Sequence, residues 1–493
     1  MPEVHDLGLI IDSHIPLIII QSHEETRSID TLSRLARKRS LPIYSWTITD
    51  GLKRRGFGLE LEEKDKLDEP DDILKHIKRS STPGIYVLCD FHPWLDDAPR
   101  RVRLLKDIAL NHRRTAHTVV LISHQLNTPP ELKHLSAQFT MHLPSPEQIM
   151  TIVRDEAGKW STSNHNKRVK TDNKTLQQLV KNLQGVSYSE ARRLARGAII
   201  DDGAITSDDI PTVNKAKFDL MDMDGVLSFE YDTAKFSDVG GLDNLKRWLT
   251  ERKSAFHETG EHALQAPKGI MLLGVQGGGK SLAAKAVSGV WGVPLLRLDF
   301  GSLYNKFFGE TERNLREALK LAELMSPCVL WIDEIEKGLG QDSNDQGISK
   351  RILGTLLTWM AENTHPVFIV ATANNVSALP PELIRKGRID EVFFVDLPNK
   401  NVRQEIFEIH LAKRALDCKQ FNTRSLATLS EGFSGAEIEQ AIVSARYAAQ
   451  AQETEMNETH ILNEITSTQP LSVLMSEKLD ELRVWASERT VKA

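Results

Sequence analysis

Two hydrophobic patterns alternate along the first part of the chain. Short apolar runs predict buried strands, and the segments between them repeat apolar positions every three or four residues, which predicts amphipathic helices. The predicted strands are residues 15–21, 42–47, 84–90, 118–123 and 138–143, and the predicted helices include 26–37 and 100–111. Strands and helices in alternation are typical of an α/β domain in which helices cover a parallel sheet.

The same order of parts occurs a second time further along the chain. The predicted parts are an α/β block at 1–144, a helical domain at 145–217, a weakly structured linker at 218–232, a second α/β block at 233–400, a second helical domain at 401–470 and a C-terminal helix at 471–493. Both α/β blocks contain Pro-Pro-Glu-Leu, at 129–132 and at 380–383. This parallel suggests an internal duplication.

A glycine-rich loop follows the first predicted strand of the second block. Residues 272–282 have the G-x-x-x-x-G-K-[ST] spacing of a phosphate-binding loop. Glycines let the backbone fold around an anion, Lys280 supplies a charge for the phosphates, and the Ser281 hydroxyl suits Mg²⁺. A chance Gly-rich turn is the alternative, but the flanking strand at 269–273 and helix at 282–290 favour the phosphate loop. The predicted nucleotide-binding residues here are Gly274, Gly277, Gly278, Gly279, Lys280, Ser281 and Leu282.

Two carboxylates follow a later apolar strand of the same block. Asp333 and Glu334 come directly after Val-Leu-Trp-Ile at 329–332. Asp333 suits the surroundings of Mg²⁺, and Glu334 suits polarising an attacking water. A buried strand before an acidic turn is common, but its interval from the glycine loop is that of a nucleotide-binding unit. Together the two motifs predict hydrolysis of ATP with Mg²⁺.

With these motifs, residues 233–466 resemble the AAA family of P-loop ATPases, whose Walker A and Walker B motifs they match. The chain is thus predicted to hold tandem AAA-type modules, of which the first is degenerate. The resemblance implies further nucleotide contacts, namely Asp238 and Gly240 beside the adenine, Asn374 on the γ-phosphate or the water, His410 at the adenine or ribose, and Gly435 and Ala436 in the lid.

Arg385 and Arg388 resemble the two family arginines that reach the nucleotide of a neighbouring subunit. An arginine supplied in trans stabilises the transition state and is worth about 10³ to 10⁵ in rate. The resemblance therefore implies a ring, which in this family is a hexamer. A solvated basic turn is the alternative interpretation.

Residues Lys306, Phe307, Phe308 and Gly309 resemble the family's first pore loop, which grips an extended polypeptide. Packed core aromatics are the alternative, since exposed aromatics are costly. Residues 338–347 are predicted to form a second pore-facing loop. These features favour a protein that remodels or threads a protein partner; the rival hypothesis is a scaffold whose nucleotide state controls partner binding without threading.

The loop departs from the family pattern, because Val275-Gln276 and Gly278 stand where Pro-Pro and Thr are usual. The residues that carry the chemistry are kept, so activity is expected. The layout of the whole chain is most similar to a little-characterised AAA family encoded in cyanobacteria and algal plastids, whose photosynthetic members are associated with control of inorganic-carbon use.

The first block lacks the phosphate loop. At the equivalent position it reads Gln-Ser-His-Glu-Glu-Thr at 21–26, where two carboxylates would repel a triphosphate, and Phe91 stands in place of the second acidic residue. We therefore expect no ATP hydrolysis there. Histidines follow three predicted strands, and His23, Asp90, His92 and His124 could form a metal or small-ligand site; polar caps of the strands are the alternative.

Composition limits the remaining classes of function. The 493 residues carry 62 Lys+Arg against 68 Asp+Glu, a net charge of −6, which gives no support to a general nucleic-acid-binding role. Three scattered cysteines indicate reduced thiols, not a disulfide framework. No secretory or membrane segment is visible in the sequence, so we expect a cytoplasmic protein, or a stromal one if it is encoded in a plastid.

Overall fold

The architecture is described from a computed structural model of the chain. It describes residues 2–56, 59–62, 67–221, 226–231, 233–257, 264–300, 303, 310–339, 346–376, 379–385 and 387–493. The chain forms two compact units, the first made of Met1–Pro144 with Ser187–Ser189 and the second of Ser145–Val186 with Glu190–Ala493. Among the described residues, no helix has both the length and the apolar character that crossing a bilayer requires.

The first unit is built on one sheet with flanking helices. Its strands are β1 (Leu17–Gln21), β2 (Ile43–Thr47), β3 (Gly51–Gly56), β4 (Leu59–Glu62), β5 (Gly84–Cys89), β6 (His117–Ser123) and β7 (Ser136–Phe139). Its helices are α1 (Pro2–Asp12), α2 (Glu25–Lys38), α3 (Pro70–Arg79) and α4 (Pro99–Leu110). The strand order is β4-β3-β2-β5-β6-β1-β7. The five strands from β2 to β7 in that order pair in parallel, and β3 and β4 add an antiparallel hairpin at one edge.

The second unit begins with a helical domain. Its elements are α5 (Pro146–Ser163), β8 (Lys170–Thr171), α6 (Asn173–Asn182), α7 (Tyr188–Ile200), β9 (Ala204–Ile205) and α8 (Asp209–Leu220). Ser145 starts α5 with a capping box, since its hydroxyl accepts from Gln148 N–H and the Gln148 side chain accepts from its own N–H. Lys217 lies on α8 and is buried, and its ammonium donates hydrogen bonds to the carbonyls of Gln184 and Leu324, both at 2.6 Å. Lys217 thereby joins the helical domain to the α/β domain that follows.

That α/β domain and the helices after it complete the unit. The strands are β10 (Leu227–Glu230), β11 (Gly269–Gly274), β12 (Leu295–Leu298), β13 (Cys328–Ile332), β14 (Val367–Ala373), β15 (Glu391–Val395) and β16 (Val491–Lys492). The helices are α9 (Asp243–His257), α10 (Lys280–Trp291), α11 (Glu310–Leu324), α12 (Ile335–Leu339), α13 (Gln346–Glu362), α14 (Lys400–Lys413), α15 (Thr423–Leu429), α16 (Gly435–Ala451), α17 (Glu458–Ser467), α18 (Leu471–Leu474) and α19 (Ser476–Ser487).

The two large sheets share one topology. The second sheet has the order β10-β12-β13-β14-β11-β15-β16, with parallel pairing from β12 through to β16. In both units the five central parallel strands, numbered along the chain, lie in the order second, third, fourth, first, fifth. The predicted fold class, tandem α/β modules of the same type, is confirmed.

The central strands β1, β5, β6, β11, β13 and β14 are mostly apolar and almost fully buried because both faces of their sheets are covered. In β11, Met271 and Leu273 pack into the core on one side, whereas Ile270 and Leu272 pack into the core on the other. This double burial explains why the strands can be read from the sequence as continuous apolar runs. A third core, formed by α14 to α17 around Phe407 and Ile442, holds the C-terminal helical domain together.

Several segments differ from the sequence prediction. The predicted C-terminal helix at 471–493 ends at Ser487, and Val491–Lys492 instead form a strand paired with β15. The hairpin of β3 and β4 was not predicted, because Leu-Lys-Arg-Arg at 52–55 carries little apolar signal. Residues 218–232 are not weakly structured throughout, since α8 ends at Leu220 and β10 pairs with β12 in antiparallel. The last predicted strand, 138–143, lies earlier, at Ser136–Phe139, because its pairing with Leu17–Ile20 of β1 sets its register.

Candidate functional site

The glycine loop leaves the carboxyl end of β11 and turns into α10. A Cβ at Gly274 would lie 2.0 Å from the Val395 carbonyl oxygen, so only glycine fits where the loop leaves the sheet. Gly277 and Gly279 have φ values of 76° and 96°, the left-handed region that glycine adopts without strain. Gly279 directly precedes the first residue of α10, which places the positive end of that helix at the loop.

Lys280 lies beneath the loop and is 7% exposed. Its ammonium donates to the carbonyls of Gly274 at 3.0 Å and Val275 at 2.7 Å. Burial lowers the pKa of Lys280 to about 8, although Glu336, Asp333 and Glu334 oppose this shift. An anionic ligand in the loop would favour the charged form of the lysine.

The two predicted acidic residues are held by groups at the end of β14 and on α12. Thr372 donates its hydroxyl to Asp333 Oδ1 at 2.6 Å and accepts the Glu334 N–H at 2.9 Å. Asn374 donates from Nδ2 to Glu334 Oε1 at 2.8 Å, and Lys337 forms an ion pair with Glu334 Oε2. Glu334 adopts a φ of 47°, which is uncommon for a residue with a side chain. The strand ends therefore fix both carboxylates in one place.

Sequence reasoning missed three residues of this network. The Thr372 hydroxyl bridges the Asp333 carboxylate and the Glu334 backbone N–H, and Glu336 accepts the Asn374 backbone N–H at 2.8 Å. Arg297, on β12, lies 3.4 Å from Asp333 Oδ2 and 4.9 Å above the Trp331 ring. Their partners come from neighbouring strands, so spacing along the chain gave no signal for any of them.

Residues from distant parts of the chain meet the loop around a cavity of about 490 Å³. The residues predicted to bind or hydrolyse nucleotide that line it are Asp238, Gly240, Gly277, Gly278, Gly279, Lys280, Ser281, Leu282, Asp333, Glu334, Asn374, His410, Gly435 and Ala436. Gly274 lies outside this lining and borders the cavity next to it. The cavity combines backbone N–H groups, a lysine, two carboxylates and an amide.

The lid side of the cavity is docked against the loop. Ser434 caps α16 with a capping box to Glu437, and the Ala436 N–H donates to the Gly277 carbonyl at 3.3 Å. A Cβ at Gly240 would come 2.8 Å from Ile406, so this backbone packs closely on α14. His410 projects from the same helix, and burial lowers its pKa, so the imidazole is neutral around pH 7.

A larger cavity of about 680 Å³ lies beside this one. Gly274, Asn374 and the C-terminal helix α19 line it, the last through residues including Leu482 and Trp485. Lys280, Asp333 and Glu334 line the smaller cavity but not this one. Arg483 of α19 holds Asp396 in two hydrogen bonds, at 2.9 and 3.1 Å, which anchors the helix next to the loop.

Other predicted residues do not join the cavity. Arg385 is exposed, and Arg388 donates to the Glu382 carbonyl at 2.7 Å; neither lines the cavity of its own chain. The predicted pore loop, Lys306 to Gly309, lies outside the described residues, as does most of the second predicted loop at 338–347.

Three parts of the chain match described protein families. Residues 4–141 match the N-terminal domain of SpoVK-like AAA ATPases, and residues 147–224 match the second domain of that group. Residues 270–397 match the ATPase family associated with various cellular activities (AAA). The matches cover the first sheet, the helical domain that follows it and the five central strands of the second sheet.

Similar proteins extend over the whole chain. Two proteins named uncharacterized AAA domain-containing protein ycf46, from Guillardia theta and Trieres chinensis, are each 35% identical to it. The similarity covers 100% and 99% of this chain and 96% and 97% of theirs. The proteasome-activating nucleotidase of Aeropyrum pernix is 30% identical over 71% of this chain and 82% of its own length.

Proposed function

Because the chain belongs to the AAA family of ATPases, as its sequence predicts, we propose that it hydrolyses ATP in the cavity between the glycine loop and α16. The observation that carries the proposal is the convergence of the loop, Lys280, both carboxylates and Asn374 on this one cavity. Each group has a role in phosphoryl transfer, which depends on positioning and on charge stabilisation.

The loop side of the cavity binds the phosphates. Its backbone N–H groups and the N-terminus of α10 favour anions, and Lys280 turns its charge to the phosphate oxygens. Ser281 and Asp333 are hard oxygen donors on the same cavity and would hold Mg²⁺. When bound, the ion neutralises charge on the phosphates.

The far side of the cavity activates water. Glu334 accepts from Asn374 and pairs with Lys337, so both oxygens of its carboxylate are oriented. From this position it polarises the attacking water and takes its proton. His410, Gly435 and Ala436 bind the base and sugar end of the nucleotide.

Glu334→Gln tests this assignment. We expect the variant to bind ATP with the affinity of the unchanged protein, because the loop is intact, and to lose hydrolysis by at least about 100-fold, the low end of what a general base contributes. Glu362→Gln, at the exposed end of α13, is the matched control and should keep full turnover. Normal phosphate release by Glu334→Gln would overturn the role of Glu334.

We further propose that the active form is a ring, a hexamer in this family, in which Arg385 and Arg388 reach the nucleotide of the next subunit. Arg385 is exposed and outside the cavity of its own chain, which supports a role in trans.

A mixing experiment tests this proposal. Assemblies of Arg385→Ala alone or of Glu334→Gln alone should be inactive, but an Arg385→Ala subunit next to a Glu334→Gln subunit should have a complete site. A random equal mixture should regain about a quarter of full activity; no recovery from mixed assemblies would reject the role in trans.

We propose that the substrate on which this ATPase acts is a protein. The similarity to a protein named for activating the proteasome supports this class of partner. Capture on the Glu334→Gln variant with ATP, compared with ADP, should retain that partner. Phe307→Ala then separates two modes of action: loss of remodelling with ATPase retained indicates threading, whereas unchanged remodelling indicates a nucleotide-controlled scaffold.

A further inference from the structure

Three side chains with metal-binding atoms meet in the first unit, at the edge of its sheet where the phosphate loop is missing. Asp90 follows the last residue of β5, His92 lies two residues further on, and His124 follows the last residue of β6. One ligand atom from each lies within 4.8 Å of the other two. We propose that Asp90, His92 and His124 bind a divalent transition-metal ion, with Zn²⁺ as the best match.

The position of these residues in the fold supports a ligand site. Asp90 follows β5 as Asp333 follows β13, and His124 follows β6 as Asn374 follows β14. In open sheets of this kind, ligands bind at the carboxyl ends of the strands where the strand order reverses. The first unit keeps this crevice but fills it with imidazole and carboxylate groups. Two imidazoles and a carboxylate attract a cation, whereas the phosphate-binding groups of the second unit are the glycine loop and Lys280, which have no counterpart at residues 21–26.

Hydrogen bonding leaves His92 ready to act as a ligand. The Ser123 hydroxyl donates its single hydrogen to the Gln125 carbonyl at 3.0 Å, because a carbonyl can only accept. The 2.6 Å contact between Ser123 Oγ and His92 Nδ1 must therefore use a hydrogen on the imidazole. With Nδ1 protonated, the lone pair of neutral His92 lies on Nε2. Metal-bound histidines are oriented in the same way, by a hydrogen bond from the other ring nitrogen.

The other two groups are also held in place. The His124 ring stacks on His23, with centroids 5.8 Å apart and an angle of 22°, and meets His92 edge-on at 4.7 Å. His23, predicted as a possible ligand, instead supports His124 and is not among the three converging residues. The Asp90 N–H donates to the Ile122 carbonyl at 2.9 Å, which ties its backbone to β6.

The ligand set selects the class of metal. Two imidazoles and one carboxylate suit Zn²⁺ and its first-row neighbours, whereas Mg²⁺ and Ca²⁺ prefer oxygen ligands alone. Asp90 and His124 are exposed and His92 is half-buried, so an ion there keeps one or more positions for water. The site thus resembles an accessible metal centre more than a closed structural one.

Calorimetric titration of the full chain with Zn²⁺ tests the proposal. We expect one Zn²⁺ site whose affinity falls in His124→Ala and in Asp90→Asn by more than the roughly 10- to 100-fold that loss of an outer-shell partner costs, since each variant loses one of three direct ligands. Asparagine tolerates the φ of 49° at Asp90, and both side chains are exposed, so the variants should fold; melting curves check this. Ser123→Ala should weaken binding about 10-fold, because it removes only the orienting hydrogen bond.

His5→Ala, an exposed position on α1, is the matched control and should bind Zn²⁺ as the unchanged protein does. Co²⁺ gives a second readout, since ligation by two imidazoles produces visible absorption bands that His124→Ala should abolish. Equal Zn²⁺ affinity and stoichiometry in the unchanged protein, His124→Ala and Asp90→Asn would refute the site, as would affinity no greater than that of isolated surface histidines. None of these outcomes depends on ATP hydrolysis, so this inference and the proposed function can fail separately.

Discussion

The Thr372 hydroxyl links Asp333 and Glu334 of the second unit. Its removal should slow ATP hydrolysis without abolishing ATP binding. Thr372→Val keeps the shape of the side chain but loses the 2.6 Å bond to Asp333 and the 2.9 Å bond from the Glu334 N–H. Thr372 is only 1% exposed, so water cannot easily replace the hydroxyl. The Asp333 carboxylate then loses a hydrogen-bond donor and the Glu334 backbone N–H loses its acceptor. Asn374 and Lys337 still hold the Glu334 carboxylate.

The size of the effect follows from the charged bond. A hydrogen bond to an ionised group contributes about 1.5–3 kcal/mol. If about 2 kcal/mol of that is lost in the transition state, kcat falls about 30-fold. The KM for ATP should change much less, because the loop and Lys280 supply most of the phosphate contacts.

Steady-state phosphate release measures the effect, and Thr372→Ser is the matched control. Serine keeps the hydroxyl and loses only a methyl group, so it should retain most of kcat. Unfolding curves of both variants separate catalytic from structural effects. If Thr372→Val lowers the unfolding midpoint but leaves kcat unchanged, or if serine loses as much kcat as valine, the positioning role is wrong.

Two further predictions concern the glycine loop. The pKa of Lys280 before binding is about 8, and the phosphates of ATP favour its charged form. Above pH 8, ATP binding must therefore be accompanied by uptake of a proton. The affinity for ATP should be constant below about pH 8 and should fall by up to tenfold per pH unit above it. A fluorescent ATP analogue measures this, and Lys280→Arg, charged throughout, should give a flat profile in the same range; a parallel fall in both would contradict the assignment. Gly274→Ala should lose about 3 kcal/mol of unfolding free energy, because its Cβ overlaps the Val395 carbonyl. Urea unfolding measures it against Gly354→Ala, where a Cβ meets nothing within 4 Å; equal stability of the two variants would contradict the clash.

Central strands such as β5, β6, β11 and β13 could be predicted because each is buried on both faces and therefore almost continuously apolar. The edge strands could not. Leu227–Glu230 and Val491–Lys492 are short, and what fixes them is pairing with β12 and β15, which no local pattern reveals. The hairpin at Gly51–Gly56 was missed for a similar reason, since its charged side chains resemble those of a loop.

The same distinction between local sequence signals and tertiary contacts applies to the residues of the site. The glycine loop and the pair Asp333-Glu334 are visible in the sequence because each motif is a contiguous run of residues next to an apolar strand. Thr372 and Arg297 act across neighbouring strands, and only the sheet order brings them to Asp333. In the first unit, histidines at strand ends suggested a ligand site, but only the structure separates the three converging side chains from the stacked His23.

The two outer strands of the second sheet have a practical consequence for isolating the ATPase domain. A fragment covering only 233–400 would lack both β10 and β16, and would leave main-chain N–H and C=O groups of β12 and β15 unpaired. Open edges of this kind invite pairing between molecules and aggregation. The C-terminal residues also cover the sheet end directly, since the Ala493 N–H donates to the Phe394 carbonyl at 3.0 Å. A well-behaved fragment should therefore start by about residue 226 and retain the chain through Ala493.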